Sequence, residues 1–275
     1  YIRKQFPRMK VYFGDGDVAT ERQADRAAEV WGHQAVGERY NLEFVNLSKL
    51  ETERTYVGPV LQWVDMPRVL TQVDAIITLP VAKTHCITPF TCALKNQWGL
   101  LPRVRFKFHP VVHQAIAEIN AFFSEKMAFG VADLTVCMEG PGPRVGFPKV
   151  CDAVMASKDL VALDSTVATY MGFDPRSIGF LNESHALGLG SRDPNLIGDT
   201  FRPNPFQPGV GRDYIVYRWR DRLERVPVVR QLIYVEEIFR TLGYGASKYQ
   251  RWAWYRKQGI RQRNDICRTD RKSVV

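Results

Sequence analysis

Residues 74–102, DAIITLPVAKTHCITPFTCALKNQWGLLP, decide how this chain is read. Ala75–Leu79 is a short apolar run with the character of a buried strand, closed by Pro80. Lys83 and His85 then fall on the loop at the strand's carboxyl end, where open α/β sheets hold their ligands. Thr88-Pro89 predicts a helix start, with Thr88 as N-cap and Pro89 at the first helical position. That helix would carry Cys92, Lys95 and Asn96 and stop at Gly99 and Pro102.

Working outward, the flanks alternate between strand and helix patterns. Upstream, Lys10–Phe13 and Leu42–Leu47 read as strands, Thr20–Tyr40 as an alanine-rich helix and Pro67–Val73 as a short helix. Gly14-Asp15-Gly16-Asp17 is either a metal-binding loop or, as the favoured reading, a strand-to-helix turn capped by an Asp. Downstream, His109–Met127 is helical and sets His109 and His113 four apart on one face, a spacing open to metal or to a cap plus a surface residue. Phe129–Ala132 is a strand ending at Asp133. In Met138–Gly146, MEGPGPRVG, Glu139 leads a loop whose Gly140 and Gly142 allow close backbone approach to a ligand or form a rigid turn. Val150–Ala156 is strand-like, and Ser157 or Asp159 caps the helix Leu160–Met171. Asp164 sits inside that helix, where an Asp is unfavourable, so it must be exposed or partnered. A short helix over Ile178–Ala186 and a strand-like Leu196-Ile197-Gly198 complete this part. Strands alternating with helices predict an α/β fold, a mostly parallel or mixed sheet flanked by helices.

Composition bounds the rest. Apolar residues make up 45% of the 275, ordinary for a globular protein, and no apolar run approaches the ~20 residues that span a bilayer. The net charge of +9 is concentrated at one end: residues 201–275 hold 17 Lys and Arg against 7 Asp and Glu, and residues 1–200 hold 21 against 22. The main body is therefore not a nucleic-acid binder by charge. Residues 201–269 read as a Pro/Gly linker followed by basic amphipathic helices. Val226–Leu242 is the first helix, and Tyr249–Arg263 mixes aromatic and basic residues. That tail suits a membrane surface or nucleic acid, or an arm packing its aromatics on the domain, which is the favoured reading. Five cysteines, Cys86, Cys92, Cys137, Cys151 and Cys267, show no C-x-x-C spacing, which argues against a disulfide framework or zinc ribbon and for a reducing, cytoplasmic setting. Tyr1 opens the chain without methionine, and Asp270–Val275 reads as a translated sequencing adapter. The expectation is an open reading frame from a metagenomic read, with an upstream strand missing.

The central segment resembles the signature of the domain-of-unknown-function family 362, P-x-x-K-T-H-x-x-T-x-x-T-x-x-x-K-N-x-x-G. It is met by Pro80, Lys83, Thr84, His85, Thr88, Thr91, Lys95, Asn96 and Gly99. His109 before a helix, Asp133 through MEGPGPRVG, and DLVALD with GFDP follow in the family's order, so the resemblance spans residues 10–190. Cys86 and Cys92 lie outside the family pattern. The resemblance implies an association with ferredoxin-like domains carrying paired four-iron clusters. This chain lacks the four closely spaced thiolates such a cluster needs, so a cluster would sit on a missing domain or a partner.

The expected site gathers Lys83, His85, Lys95, Asp133 and Glu139 as catalytic groups, and Asn96, His109, Gly140, Gly142 and Asp164 as ligand-binding groups. His85, His109 and Glu139 form a possible divalent-metal set. Two lysines and an amide near a helix N-terminus suit a small anion, carboxylate or phosphate. The expected function is an α/β domain acting on a small anionic ligand, in redox metabolism linked to an iron–sulfur partner. The alternatives are a non-catalytic metal or ligand carrier, and membrane or nucleic-acid binding through the tail.

Overall fold

A computed structural model describes residues 2–18, 23–101, 105–143, 145–209, 219 and 222–254. Thr20 of the expected first helix, residues 255–269 of the expected basic tail and Asp270–Val275 lie outside the described residues.

The chain opens with α1 (Ile2–Gln5) and a small two-stranded parallel sheet, β1 (Phe13–Asp15) with β2 (Phe44–Asn46), joined through α2 (Ala24–Val30) and α3 (His33–Tyr40). The single helix expected over this stretch is broken at Gly32, whose φ of 76° only glycine adopts without cost. The favoured turn reading holds at Asp17. Its Oδ1 accepts from Ala24 N at 2.8 Å and so caps α2 from seven residues upstream. An unanticipated antiparallel hairpin follows, β3 (Thr52–Gly58) with β4 (Gln62–Pro67), then α4 (Arg68–Gln72).

The principal sheet has five strands: β5 (Ile76–Thr78), β6 (Val81–Thr84), β7 (Phe90–Thr91), β8 (Met127–Glu139) and β9 (Phe147–Ser157). Pro80 interrupts the expected strand without ending it. A proline cannot donate to a ladder, but its carbonyl still accepts from Asp133 N at 2.8 Å, so β5 and β6 both run parallel to β8. Lys83 is therefore a strand residue, with only His85 beyond the strand end. No helix starts at Thr88-Pro89. The chain forms β7, antiparallel to β6, and helix α5 (Ala93–Asn96) starts four residues later, continuing into a 3₁₀ turn at Gln97–Leu100.

The expected helix at His109 begins as a 3₁₀ segment, Arg105–Val111, and becomes α6 over Val112–Phe122. β8 and β9 form a long antiparallel hairpin, so Glu139 ends a strand instead of leading a loop. α7 (Leu160–Tyr170) is capped by Asp159, whose side chain accepts from Ala162 N at 2.8 Å. After α8 (Gly179–Ala186), Leu196–Gly198 is not a strand, and Ile197 is fully exposed.

The core lies between α5–α8 and one face of the sheet, around Ala82, Ala132, Leu134, Cys137, Leu94, Ile116, Ile119, Val167, Phe180 and Leu181. Burial alternates along β9, leaving Val150 and Val154 exposed. The Pro-rich segment after Phe201 is tied to the domain. Asn204 N donates to Tyr170 O, Phe206 N to Met171 O and Gly140 N to Gln207 O, all within 2.9 Å, and Phe206 is buried. Two further helices, α9 (Pro227–Ile233) and α10 (Glu236–Trp254), break the expected Val226–Leu242 helix at Tyr234–Val235. They pack through Ile233 and Phe239 on Phe106, whose ring stacks on Phe239 at 3.7 Å between centroids.

Candidate functional site

Lys83 on β6 and Lys95 on α5 are half-buried and share one neighbourhood with the half-buried Arg105. Lys95 feels both other cations, and Lys83 and Arg105 both feel the carboxylate of Asp15 at the end of β1. Burial lowers the pKa of Lys83, with Asp15 opposing the shift. Burial brings Lys95 down to about 7, with Cys86 opposing and Lys83 and Arg105 adding to the shift. Among the described residues Lys83 Nζ has no hydrogen-bond partner, while Lys95 Nζ reaches Thr91 Oγ1 at 3.5 Å.

Arg105 has a different part. Its guanidinium donates to the carbonyls of Trp98, Gly99 and Leu101 and to that of Asp17, at 2.5–3.4 Å. It joins the β1 turn to the end of α5, on the side where Asp15 acts on Lys83 and on Arg105 itself. The turn can approach that closely because Gly16 has no side chain: a Cβ there would lie 2.5 Å from Gly99 O. Arg105 thus positions the site, and the lysines are the cations left for a ligand.

His85 follows Lys83 by two residues. Its Nδ1 accepts from Ile87 N at 3.0 Å and Thr88 N at 3.4 Å, which leaves the proton of the neutral ring on Nε2. The imidazole thus closes the loop that carries the signature threonine. His113, on α6, has a pKa lowered by burial, with Glu183 opposing and Lys95 adding to the shift. Its ring stacks on Phe180 at 6.4 Å, and Gly179 packs directly against it.

The other expected site residues serve elsewhere. Asp164 is fully buried and accepts from Ala93 N at 2.7 Å and Leu94 N at 3.0 Å, so it caps α5 from α7. Burial raises its pKa to about 7 against those two bonds and the Cys92 thiol. Asn96 donates to Thr78 Oγ1 at 2.8 Å and ties α5 to β5. Asp133 accepts from Thr135 N and Oγ1 where the β8–β9 register shifts between Leu134 and Val136. Glu139 is ion-paired with Lys149 at 3.0 Å and accepts from Gln207 N. Gly140 O accepts from Thr84 Oγ1, and a Cβ on Gly142 would lie 2.1 Å from Thr84 O, so both glycines press on the signature strand. The metal set His85, His109 and Glu139 is not assembled: among the described residues no group of three or more His, Cys, Asp or Glu is placed to hold an ion.

Four residues that the sequence reading left out belong to this neighbourhood: Asp15, Arg105, His113 and Cys86. Asp15 lay in the Gly/Asp turn, Arg105 in the basic loop after Pro102, and His113 in the His pair, so each carried a local signal with no indication of its destination. Among the described residues, Cys92, Cys137 and Cys151 carry free thiols. No helix among the described residues is long and apolar enough to cross a membrane.

Comparison with known proteins bears on the family alone. The chain is 25% identical over 153 residues to the thylakoid-associated protein sll1697 of Synechocystis sp. (strain ATCC 27184 / PCC 6803 / Kazusa), covering 54% of this chain and 45% of that protein. The chain thus spans less than half the length of that relative. No solved structure gives a significant match. The family model described as Domain of unknown function (DUF362) matches residues 1–169, more than half of the chain, and the chain belongs to that family.

Proposed function

We propose that this α/β domain binds a small anion, a carboxylate or phosphate, between Lys83 and Lys95. The observation that carries the reading is the pair itself: two half-buried lysines in one neighbourhood, with Arg105 engaged by four carbonyls and Asp15 as the carboxylate near Lys83. Cations kept together in a low-dielectric site repel one another, and an anion relieves that repulsion and restores charge lost to desolvation. Lys95, brought down to about 7, also exchanges its proton near neutral pH and is the group best placed to serve as an acid or base toward the bound anion. The free thiols support a reducing, cytoplasmic setting. A link to an iron–sulfur partner rests on the family's associations alone.

Calorimetric titration with inorganic phosphate and with succinate tests the reading. Binding requires the protonated lysine, so affinity is highest below about pH 7 and falls roughly tenfold between pH 6 and pH 8. Lys95→Met removes this pH dependence and Lys83→Met weakens binding at every pH. Unchanged affinity in both variants, or no heat with either anion, refutes the site.

A further inference from the structure

Helix α10 is amphipathic, with one strip turned inward and an apolar strip left exposed. Phe239, Gly243, Ser247 and Gln250 recur at helical spacing and face inward, with Phe239 stacked on Phe106. Ile238, Leu242, Tyr249 and Trp252 recur at the same spacing, one strip over, and are exposed, Leu242 by 58% and Trp252 by 55%. Val228, Leu232 and Val235, on and just after α9, are exposed as well. Aliphatic side chains in such a run are costly in water, at about 25 cal/mol per Å² of apolar surface. The exposed polar side chains around the strip include Arg222, Arg225, Arg230 and Lys248. Residues 222–254, which carry this surface, hold six Lys and Arg against three Glu.

From this pattern we infer that α9–α10 is a docking surface for an anionic lipid membrane, on which the domain sits peripherally. Charge decides the occupant as an anionic one. The aliphatic strip decides between the anionic alternatives: Leu232, Ile238 and Leu242 gain nothing from phosphates or stacked bases, but do gain from the acyl boundary of a bilayer. Tyr249 and Trp252 are the side-chain types that settle at headgroup level, and Arg230 and Lys248 meet the anionic headgroups. The Phe106–Phe239 stack holds the strip outward, so docking requires no rearrangement of the core.

The test is co-sedimentation of the full chain with vesicles of phosphatidylcholine alone and with 30% phosphatidylglycerol. Binding is expected to the anionic vesicles, to weaken with salt, and to fall at least about tenfold in Leu242→Glu and in Tyr249→Glu. Both substitutions are at exposed positions, so circular dichroism should be unchanged. Arg230→Glu with Lys248→Glu should weaken binding and flatten its salt dependence. Failure to bind anionic vesicles overturns the inference, as does equal binding to neutral ones. So does binding that ignores Leu242→Glu, which would be charge attraction without insertion. Duplex DNA bound by the same basic residues, with no effect of Leu242→Glu, would reassign the surface to nucleic acid.

Discussion

Asp164→Asn separates the charge of this residue from its shape. In the folded protein the carboxyl group lies in the core between α7 and α5, accepting from Ala93 N and Leu94 N. Burial raises its pKa from 3.8 to about 7. Between those two values the unfolded chain has released the proton and the folded chain retains it. The folded state therefore binds more protons, and stability falls as pH rises through this window. A shift of roughly three units corresponds to up to about 4 kcal/mol, lost progressively from about pH 4 to pH 7 and constant above. Asparagine keeps one acceptor oxygen but presents an NH₂ group toward one of the two N–H donors, at a cost of about 2 kcal/mol, and it does not titrate. Urea unfolding of both proteins at several pH values between 4 and 8 reads the difference directly. The wild type is expected to lead clearly at acid pH, and its lead to shrink or reverse by pH 8. Parallel curves would show that Asp164 ionises normally in the folded state, and the account of a carboxyl group kept protonated by burial would fail.

Three further substitutions follow from the packing. Glu118 is buried on α6 and accepts from Val60 N and Leu61 N at the β3–β4 turn, so Glu118→Gln should cost about 2 kcal/mol and selectively expose that hairpin to proteolysis. Gly142→Ala places a methyl 2.1 Å from Thr84 O, so the hairpin loop must shift; we expect a loss of about 2 kcal/mol, and anion affinity to fall with it if the loop holds β6 in place. Phe106→Ala removes the ring that α9 and α10 rest on and should cost those helices about 3 kcal/mol. Hydrogen exchange would then rise on the order of a hundredfold in residues 236–254 while α6 and α7 keep their protection; uniform acceleration would mean that the tail and the domain unfold as one unit.

The alternation of apolar runs with helix patterns was enough to predict an α/β fold, because burial on one side of each element leaves a period in the sequence. The lysines of the signature were legible for a similar reason, since their residue types and order survive as a local string. What the string could not show was the consequence of contacts across the chain. Pro80 looked like a strand end because its missing N–H is a local property, whereas its carbonyl pairs with Asp133 more than fifty residues away. Thr88-Pro89 had the chemistry of a helix start, but the donors at the start of α5 are satisfied by Asp164 from another helix, so the cap lies where no local motif points. Glu139 and Asp133 looked catalytic as isolated acids, and the fold places Lys149 beside one and Thr135 beside the other. Arg105 carries no motif of its own in the sequence, since its role depends on four carbonyls drawn together by tertiary packing. The sequence by itself determined the fold class and the pair of lysines. The tertiary structure decided which side chains share their neighbourhood, because desolvation and Coulomb energy depend on distances that chain order does not set.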